Sequence, residues 1–152
     1  QGQKQINFIE GSLAHFFSLT KIEQFELLEH CNYTKVSFKA DVAHNFAAIK
    51  DNLGVNIELG AISEDNIAMS FAHNNGIKYA TQYHPEHYYN YNDLNSIHQK
   101  AWLNNFIQLA QMHHDYRVNN NSHPVIYYNQ IINKLDECRQ IKLTGEIEFL
   151  ED

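Results

Sequence analysis

Three neighbouring residues, His84, Pro85 and Glu86, include side chains that could act together in catalysis. An imidazole beside a thiol can take its proton to form the nucleophilic thiolate, and can then return a proton to a leaving amine. A carboxylate two residues on, after a proline that restricts the backbone, can fold back to the other ring nitrogen and hold the base in one tautomer. The pattern therefore predicts His84 as a general acid/base and Glu86 as the group that orients it.

A meander of three strands is predicted to position these residues. Apolar residues alternate over 55–61, 67–71 and 77–83, with the period of two that strands show. The two intervening segments, 63–66 and 74–76, are rich in turn-forming residues, which favours antiparallel hairpins. His84 then follows the end of the third strand.

The earlier part of the chain alternates short strands and helices. Thr20 and Glu23 form a capping-box pattern, because each side chain can accept a hydrogen bond from an exposed backbone N–H at the start of a helix. The pattern predicts, in chain order, a strand at 6–9, a helix from Leu13, a capped helix after Thr20, a strand at 33–38 and a helix at 43–52 that stops before Gly54.

The last third of the chain changes to helical periodicity near residue 90. One helix is predicted to present a face made by Trp102, Phe106, Leu109, Ala110 and His113. A second helix opens at Pro124, since proline is favoured in the first turn, and its inward residues are predicted to be Val125, Tyr128, Ile132 and Leu135.

The segment Gln82-Tyr83-His84-Pro85-Glu86 resembles the Gln-aromatic-His-Pro-Glu signature of class I glutamine amidotransferases and γ-glutamyl hydrolases. The run from Ala40 to Ile49 looks like a degenerate form of their Val-Asn-Ser-x-His-x-Gln-Ala segment, with His44 in place of its histidine. Val42 and Phe46 replace the polar Ser and Gln of that segment. The resemblance covers about residues 5–110.

The resemblance implies a fold and a set of site residues. His84 and Glu86 would be the catalytic pair, and His44, Gln82 and Tyr83 would belong to the substrate pocket. The expected fold is α/β, the C-terminal part of a flavodoxin-like three-layer α/β/α amidotransferase domain. This portion would span residues 1–118, and a helical extension at 119–152 would pack on the same domain.

The resemblance also implies a cysteine nucleophile on a glycine-flanked turn between a strand and a helix. Cys31 has no glycine on either side, and Cys138 lies in a predicted helix. Neither is a credible nucleophile, so we expect the cysteine to lie outside this chain, which begins with Gln1 rather than Met. We also expect the missing N-terminal segment, a partner chain or a second copy to cover a sheet that would otherwise expose an edge and an apolar face.

Composition limits the partners. The chain has 152 residues with 11 basic and 18 acidic side chains, a formal charge of −7 that opposes binding to nucleic acid. Apolar runs are far shorter than the roughly 20 residues of a membrane helix, so we expect no membrane partner. Two cysteines far apart favour a reducing, cytoplasmic setting, although a single bridge between them stays open.

The expected activity is cleavage of a γ-glutamyl amide by a Cys-His-Glu triad, with a small γ-glutamyl compound as substrate and no cofactor. The alternative is a binding or assembly module that keeps the scaffold without the chemistry, which the substitutions at Val42 and Phe46 favour. Ten histidines also raise a weaker metal-protein hypothesis. We predict no metal site, because His84 and His87 straddle a proline and the adjacent His113 and His114 point about 100° apart on a helix.

Overall fold

The computed structural model describes residues 2–43, 47–90 and 96–151, with side chains described to residue 144 except those of residues 89 and 90. The described residues form five strands, four helices and a 3₁₀ turn. In chain order these are β1 (Gly2–Phe8), α1 (Leu13–Phe17), α2 (Lys21–His30), β2 (Ser37–Val42), β3 (Ile57–Ser63), β4 (Ala68–His73), β5 (Tyr79–Thr81), the 3₁₀ turn (Pro85–Asn90), α3 (Ser96–Asn119) and α4 (Pro124–Glu151).

The strands form one curled sheet in the order β2-β1-β3-β4-β5, with every neighbouring pair antiparallel. Register shifts around Ala61 in β3 mark an irregularity of the kind that bends a strand. The curl brings the outer edge of β2 back to the chain after β5, where Val42 forms an isolated bridge with Tyr83. The sheet therefore has the form of a half-barrel whose two edges meet just before His84.

The mixed α/β class and the antiparallel meander predicted from the sequence are confirmed. The flavodoxin-like arrangement is not confirmed, because no described pair of strands is parallel. Alternation of side chains fixes local hairpins, but it does not determine how the sheet curls or which edge meets which.

Both short helices are capped by side chains, and the capping box predicted at Thr20 and Glu23 is confirmed. The Ser12 side chain accepts a hydrogen bond from the backbone N–H of His15 at the start of α1. Before α2, the Thr20 side chain accepts from the backbone N–H of Glu23, and the Glu23 side chain accepts from that of Thr20. A reciprocal pair of this kind satisfies two donors that the helix backbone leaves without a partner.

The helix predicted at 43–52 is wrong for its described residues, 43 and 47–52, which contain no helix and form a turn at 50 and 51. The strand predicted at 33–38 also lies further along, as β2. Phe38, Ala40 and Val42 alternate into the core, so the strand continues up to the point where the helix was predicted to start. Ile49 is 69% exposed and gives such a helix no buried face.

The core fills the inside of the curled sheet. Three buried aromatic rings from distant parts of the chain contact one another there, those of Phe8, Phe38 and Tyr83. Their centroids are 5.5–6.4 Å apart, and the rings of each pair are either tilted or edge to face. Helix α1 packs over β3, where a side chain on Gly60 would overlap the methyl group of Ala14. The close approach of α1 to the sheet therefore depends on glycine at position 60.

The two long C-terminal helices occur where the sequence predicted them, but their buried faces differ in part. In α3, Trp102 and Leu109 are buried, whereas Phe106 is 48% exposed and Ala110 is exposed. In α4 the buried stripe is made by Tyr128, Ile131, Leu135 and Cys138. Among the described residues, no helix combines the length and the apolar character needed to cross a lipid bilayer.

Cys31 and Cys138 form a disulfide across a sequence separation of 107 residues. The bond joins the C-cap of α2 to α4, and it is the bridge that the sequence alone left open. The two cysteines therefore no longer support the expectation of a reducing compartment.

His15 is fully buried in α1, and its ring is held by two backbone groups. Its Nε2 donates to the carbonyl of Thr34 at 2.6 Å, and its Nδ1 accepts from the N–H of Gly11 at 3.3 Å. This arrangement needs the neutral imidazole. Burial, the largest influence, lowers the pKa of His15 below its ordinary value of 6.5, and the hydrogen bond to Thr34 opposes that effect in part.

We predict that His15 makes the fold sensitive to mild acid. The unfolded chain binds a proton at His15 more readily than the folded one, so the free energy of unfolding should fall as the pH drops below about 6.5. The slope from this residue is at most about 1.4 kcal/mol per pH unit. Urea unfolding at pH 7.5, 6.5 and 5.5 should show this loss in the wild type and a smaller loss in His15→Gln. His114→Gln, at an exposed histidine, is the control and should keep the wild-type slope; an equal loss in all three proteins would contradict the prediction.

Candidate functional site

The candidate site lies where the two edges of the curled sheet meet. The chain leaves β5, bridges to β2 at Tyr83, and enters the 3₁₀ turn at Pro85. The backbone N–H of His84 donates to the carbonyl oxygen of Asp41 at 2.9 Å. The histidine backbone is therefore fixed by both edges of the sheet rather than by a loop alone.

The side chains of His84 and Glu86 meet, as their spacing predicted. His84 Nδ1 lies 2.8 Å from Glu86 Oε1, a hydrogen bond in which the protonated Nδ1 donates to the carboxylate. The two side chains are 36% and 57% exposed, so the pair is open to solvent. Partial desolvation acts to raise the pKa of Glu86, but the hydrogen bond from His84 and the backbone N–H outweigh it and hold this pKa below its ordinary value.

A second imidazole–carboxylate pair lies beside the first. His87 Nδ1 is 2.9 Å from Asp41 Oδ2, which ties the 3₁₀ turn to β2. The rings of His84 and His87 are stacked, with centroids 4.9 Å apart and an interplanar angle of 14°. The two imidazoles, each hydrogen-bonded through Nδ1 to a carboxylate, thus form one cluster.

This cluster also has the composition of a metal site. One ligand atom from each of His84, Glu86 and His87 lies within 4.8 Å of the others. The sequence argument against metal binding at this spacing is therefore weakened, because the turn after Pro85 brings the two rings together. His113 and His114 do not join the cluster: His113 packs near Tyr116 and His123, and His114 lies 3.6 Å from Asp115.

The three predicted pocket residues have different positions. Tyr83 is 3% exposed and packs against Phe8 and Phe38, so its side chain is part of the hydrophobic core. Burial raises the pKa of its hydroxyl far above the ordinary value. Gln82 is half-buried at the bend after β5, and its backbone N–H donates to the carbonyl of Met69. His44 lies outside the described residues.

Neither cysteine of the chain offers a free thiol, since Cys31 and Cys138 are bonded to each other. This agrees with the prediction that neither is the nucleophile. Neither cysteine therefore places a free thiol beside the hydrogen-bonded His84 and Glu86.

Sequence reasoning missed Asp41 and His87 as members of the site. A signal for His87 was present, because a 3₁₀ turn has about three residues per turn and places residues i and i+3 above each other. No local signal exists for Asp41, which reaches the site only because β2 returns to the chain after β5.

The site holds two imidazoles whose Nδ1 atoms are hydrogen-bonded to carboxylates, an arrangement found in histidines that act as bases or bind cations through Nε2. Comparison with known proteins adds no further constraint: no family model matches the chain, and no curated protein or solved structure is detectably similar to it.

Proposed function

We propose that this chain supplies the acid/base half of a cysteine-dependent centre that cleaves a γ-glutamyl amide, as a γ-glutamyl hydrolase or glutamine amidotransferase does. One observation carries the proposal: the 2.8 Å hydrogen bond between His84 Nδ1 and Glu86 Oε1 at the end of a strand meander. The resemblance of residues 82–86 to the Gln-aromatic-His-Pro-Glu signature supports the choice of substrate.

Each residue has a defined step in the proposed reaction. His84 takes the proton of the attacking thiol, and the thiolate adds to the amide carbon of the substrate. His84 then protonates the leaving ammonia or amine as the thioester forms, and it activates the water that hydrolyses the thioester. Glu86 holds Nδ1–H, so that the other nitrogen, Nε2, faces the reactants as the acceptor. No cofactor is needed for this chemistry.

The cysteine in this proposal comes from outside the 152 residues, from an upstream segment, a partner chain or a second copy. That part would complete the flavodoxin-like domain and place its thiol next to His84. Exposed apolar side chains on α2, with Ile22 at 78% and Phe25 at 56%, support a partner that covers this surface. A cytoplasmic setting and a small γ-glutamyl substrate belong to the same proposal.

The second candidate is a binding or assembly module without catalysis. One observation favours it: Val42, where the family segment has a polar serine, is 2% exposed and fully engaged in the core. A segment that packs instead of contacting substrate would leave His84 and Glu86 as surface groups on an inactive scaffold.

The test measures ammonia release from glutamine and from small γ-glutamyl amides by the full-length polypeptide that contains these residues. His84→Asn should lower kcat by about 10²–10⁴, the usual range for loss of a general acid/base. Glu86→Gln should lower kcat while leaving KM nearly unchanged, because it disturbs the orientation of the base and not substrate binding. His114→Asn, a change at an exposed histidine on α3, is the matched control and should leave both constants unchanged.

Two results would overturn the enzyme proposal. Full activity of His84→Asn would remove the acid/base role, and turnover by the 152-residue chain alone would show that no outside cysteine is used. A full-length polypeptide that releases no ammonia and has no cysteine on a glycine-flanked turn would favour the binding module instead.

A further inference from the structure

We infer that His84 and His87 form a binding site for a divalent transition-metal cation of the zinc type, with Glu86 and Asp41 as the carboxylates that hold their Nδ1 atoms. The site uses side chains of the proposed acid/base pair, but the inference does not rest on the proposed reaction, since it concerns binding to this chain alone. Three observations carry it: the closeness of the two rings, which are stacked, the hydrogen bond from each Nδ1 to a carboxylate, and the grouping of possible ligand atoms of His84, Glu86 and His87 within 4.8 Å.

The backbone brings the two imidazoles together without a long loop. His87 N–H donates to the carbonyl of His84 at 3.1 Å, the i to i+3 bond of a 3₁₀ turn. With about three residues per turn, side chains at i and i+3 lie one above the other. The backbone N–H of His84 also donates to the carbonyl of Asp41 in β2, so the backbone positions of the two histidines are set before any ligand arrives.

The carboxylates give these histidines the hydrogen bonds that metal-binding histidines usually have. A metal-ligating imidazole commonly donates its other N–H to a carboxylate, which fixes the ring and makes the ligating nitrogen more basic. Here Glu86 and Asp41 accept from the Nδ1 atoms of His84 and His87, at 2.8 Å and 2.9 Å. The negative charge of the two carboxylates beside the rings also attracts a cation.

The possible ligand atoms are further apart than the donors of a bound zinc ion. Zinc–nitrogen bonds of about 2.0–2.1 Å place tetrahedral donors about 3.3 Å apart, so the 4.8 Å set must contract. The side chains of His84 and His87 are each 36% exposed, and rotations at the surface can close this gap. Imidazole nitrogen favours Zn²⁺, Co²⁺ or Ni²⁺ over Mg²⁺ and Ca²⁺, which prefer oxygen donors.

The experiment titrates the purified chain with Zn²⁺ by calorimetry and with Co²⁺ by visible absorption, at pH 7.5 in a buffer that does not bind metals. We expect one cation per chain, and visible Co²⁺ bands of nitrogen and oxygen ligation. His84→Ala and His87→Ala should each raise the dissociation constant more than 10-fold. Asp41→Asn should raise it about 10–100-fold, the usual effect of losing a carboxylate that orients a ligand.

A matched control comes from the other histidine pair of the fold. His113 lies in α3 and His123 directly precedes α4, and the centroids of their rings are 5.6 Å apart. His123→Ala should leave metal affinity unchanged. Circular dichroism of each variant separates loss of the site from loss of the fold. Glu86→Gln keeps the shape of the side chain, and its dissociation constant for the metal tests the site a second time.

Two outcomes would overturn the inference. One is equal affinity of the wild type, His84→Ala and His87→Ala; the other is loss of binding in His123→Ala with retention in the two site variants. Because the readout is binding and not turnover, failure here leaves the amide-hydrolysis proposal standing, and failure of that proposal leaves the metal site standing.

Discussion

Reduction of the disulfide between Cys31 and Cys138 is expected to lower the free energy of unfolding by about 4–5 kcal/mol. The bond closes a loop with a sequence separation of 107 residues, and the chain-entropy model assigns about 4.7 kcal/mol to a loop of about 100 residues. In this model the loss of stability comes from the greater conformational freedom of the unfolded chain once α2 and α4 are no longer linked. An effect of this size is a large fraction of the stability of a domain of this length.

Urea unfolding of the oxidised and reduced protein, followed by fluorescence of Trp102, measures this effect. The double variant Cys31→Ala/Cys138→Ala is the control. Its midpoint should lie near that of the reduced wild type and should not change when reductant is added. A thiol assay on the denatured, unreduced wild type should find no free thiol, and equal midpoints for oxidised and reduced wild type would contradict the prediction.

The strand meander and the C-terminal helices were predictable because their signals are local. Alternating residues over 55–83 specify strands whatever lies beside them, and Pro124 marks a helix start through its own backbone. The capping box of Thr20 and Glu23 also lies within a few residues of chain. Where the information is confined to one turn or one strand, the predictions are confirmed.

The errors concern contacts between distant parts of the chain. The helix predicted at 43–52 failed because β2 continues through Val42 to meet Tyr83, a pairing that no local pattern encodes. The disulfide was undetermined for the same reason, since Cys31 and Cys138 are adjacent only after α4 docks on α2. Helix faces were also misassigned in part, as the exposure of Phe106 and Ala110 in α3 shows.

The candidate site also contains residues that a local pattern predicts and residues that only the tertiary fold brings in. His84 and Glu86 are two residues apart, and their hydrogen bond follows from a local motif that the sequence displayed. Asp41 comes from a strand 43 positions earlier than His84 and enters the site only through the curl of the sheet. The contact between His84 and Glu86 was therefore predictable from sequence, whereas the four-residue cluster that also contains Asp41 and His87 was not.

Replacement of Phe17 by alanine is expected to destabilise the protein by about 3–5 kcal/mol, the range for removal of a buried aromatic ring. Phe17 is 1% exposed and joins three elements of the fold. Its ring stacks on Tyr79 of β5 at a centroid distance of 3.8 Å and meets the edge of Trp102 in α3 at 5.4 Å. The cavity would therefore separate α1 from both the sheet and the long helix.

Phe25→Ala is the matched control, because it removes the same side chain from the neighbouring helix α2, where the ring is 56% exposed. Its contact with His30 is a single edge-to-face pair at the surface, so the expected loss is under about 1 kcal/mol. Urea unfolding of the two variants and the wild type at pH 7.5 compares them directly. The two variants should differ clearly in their loss of unfolding free energy. Equal losses for Phe25→Ala and Phe17→Ala would contradict the prediction, because the buried ring of Phe17 would then contribute no more than an exposed one.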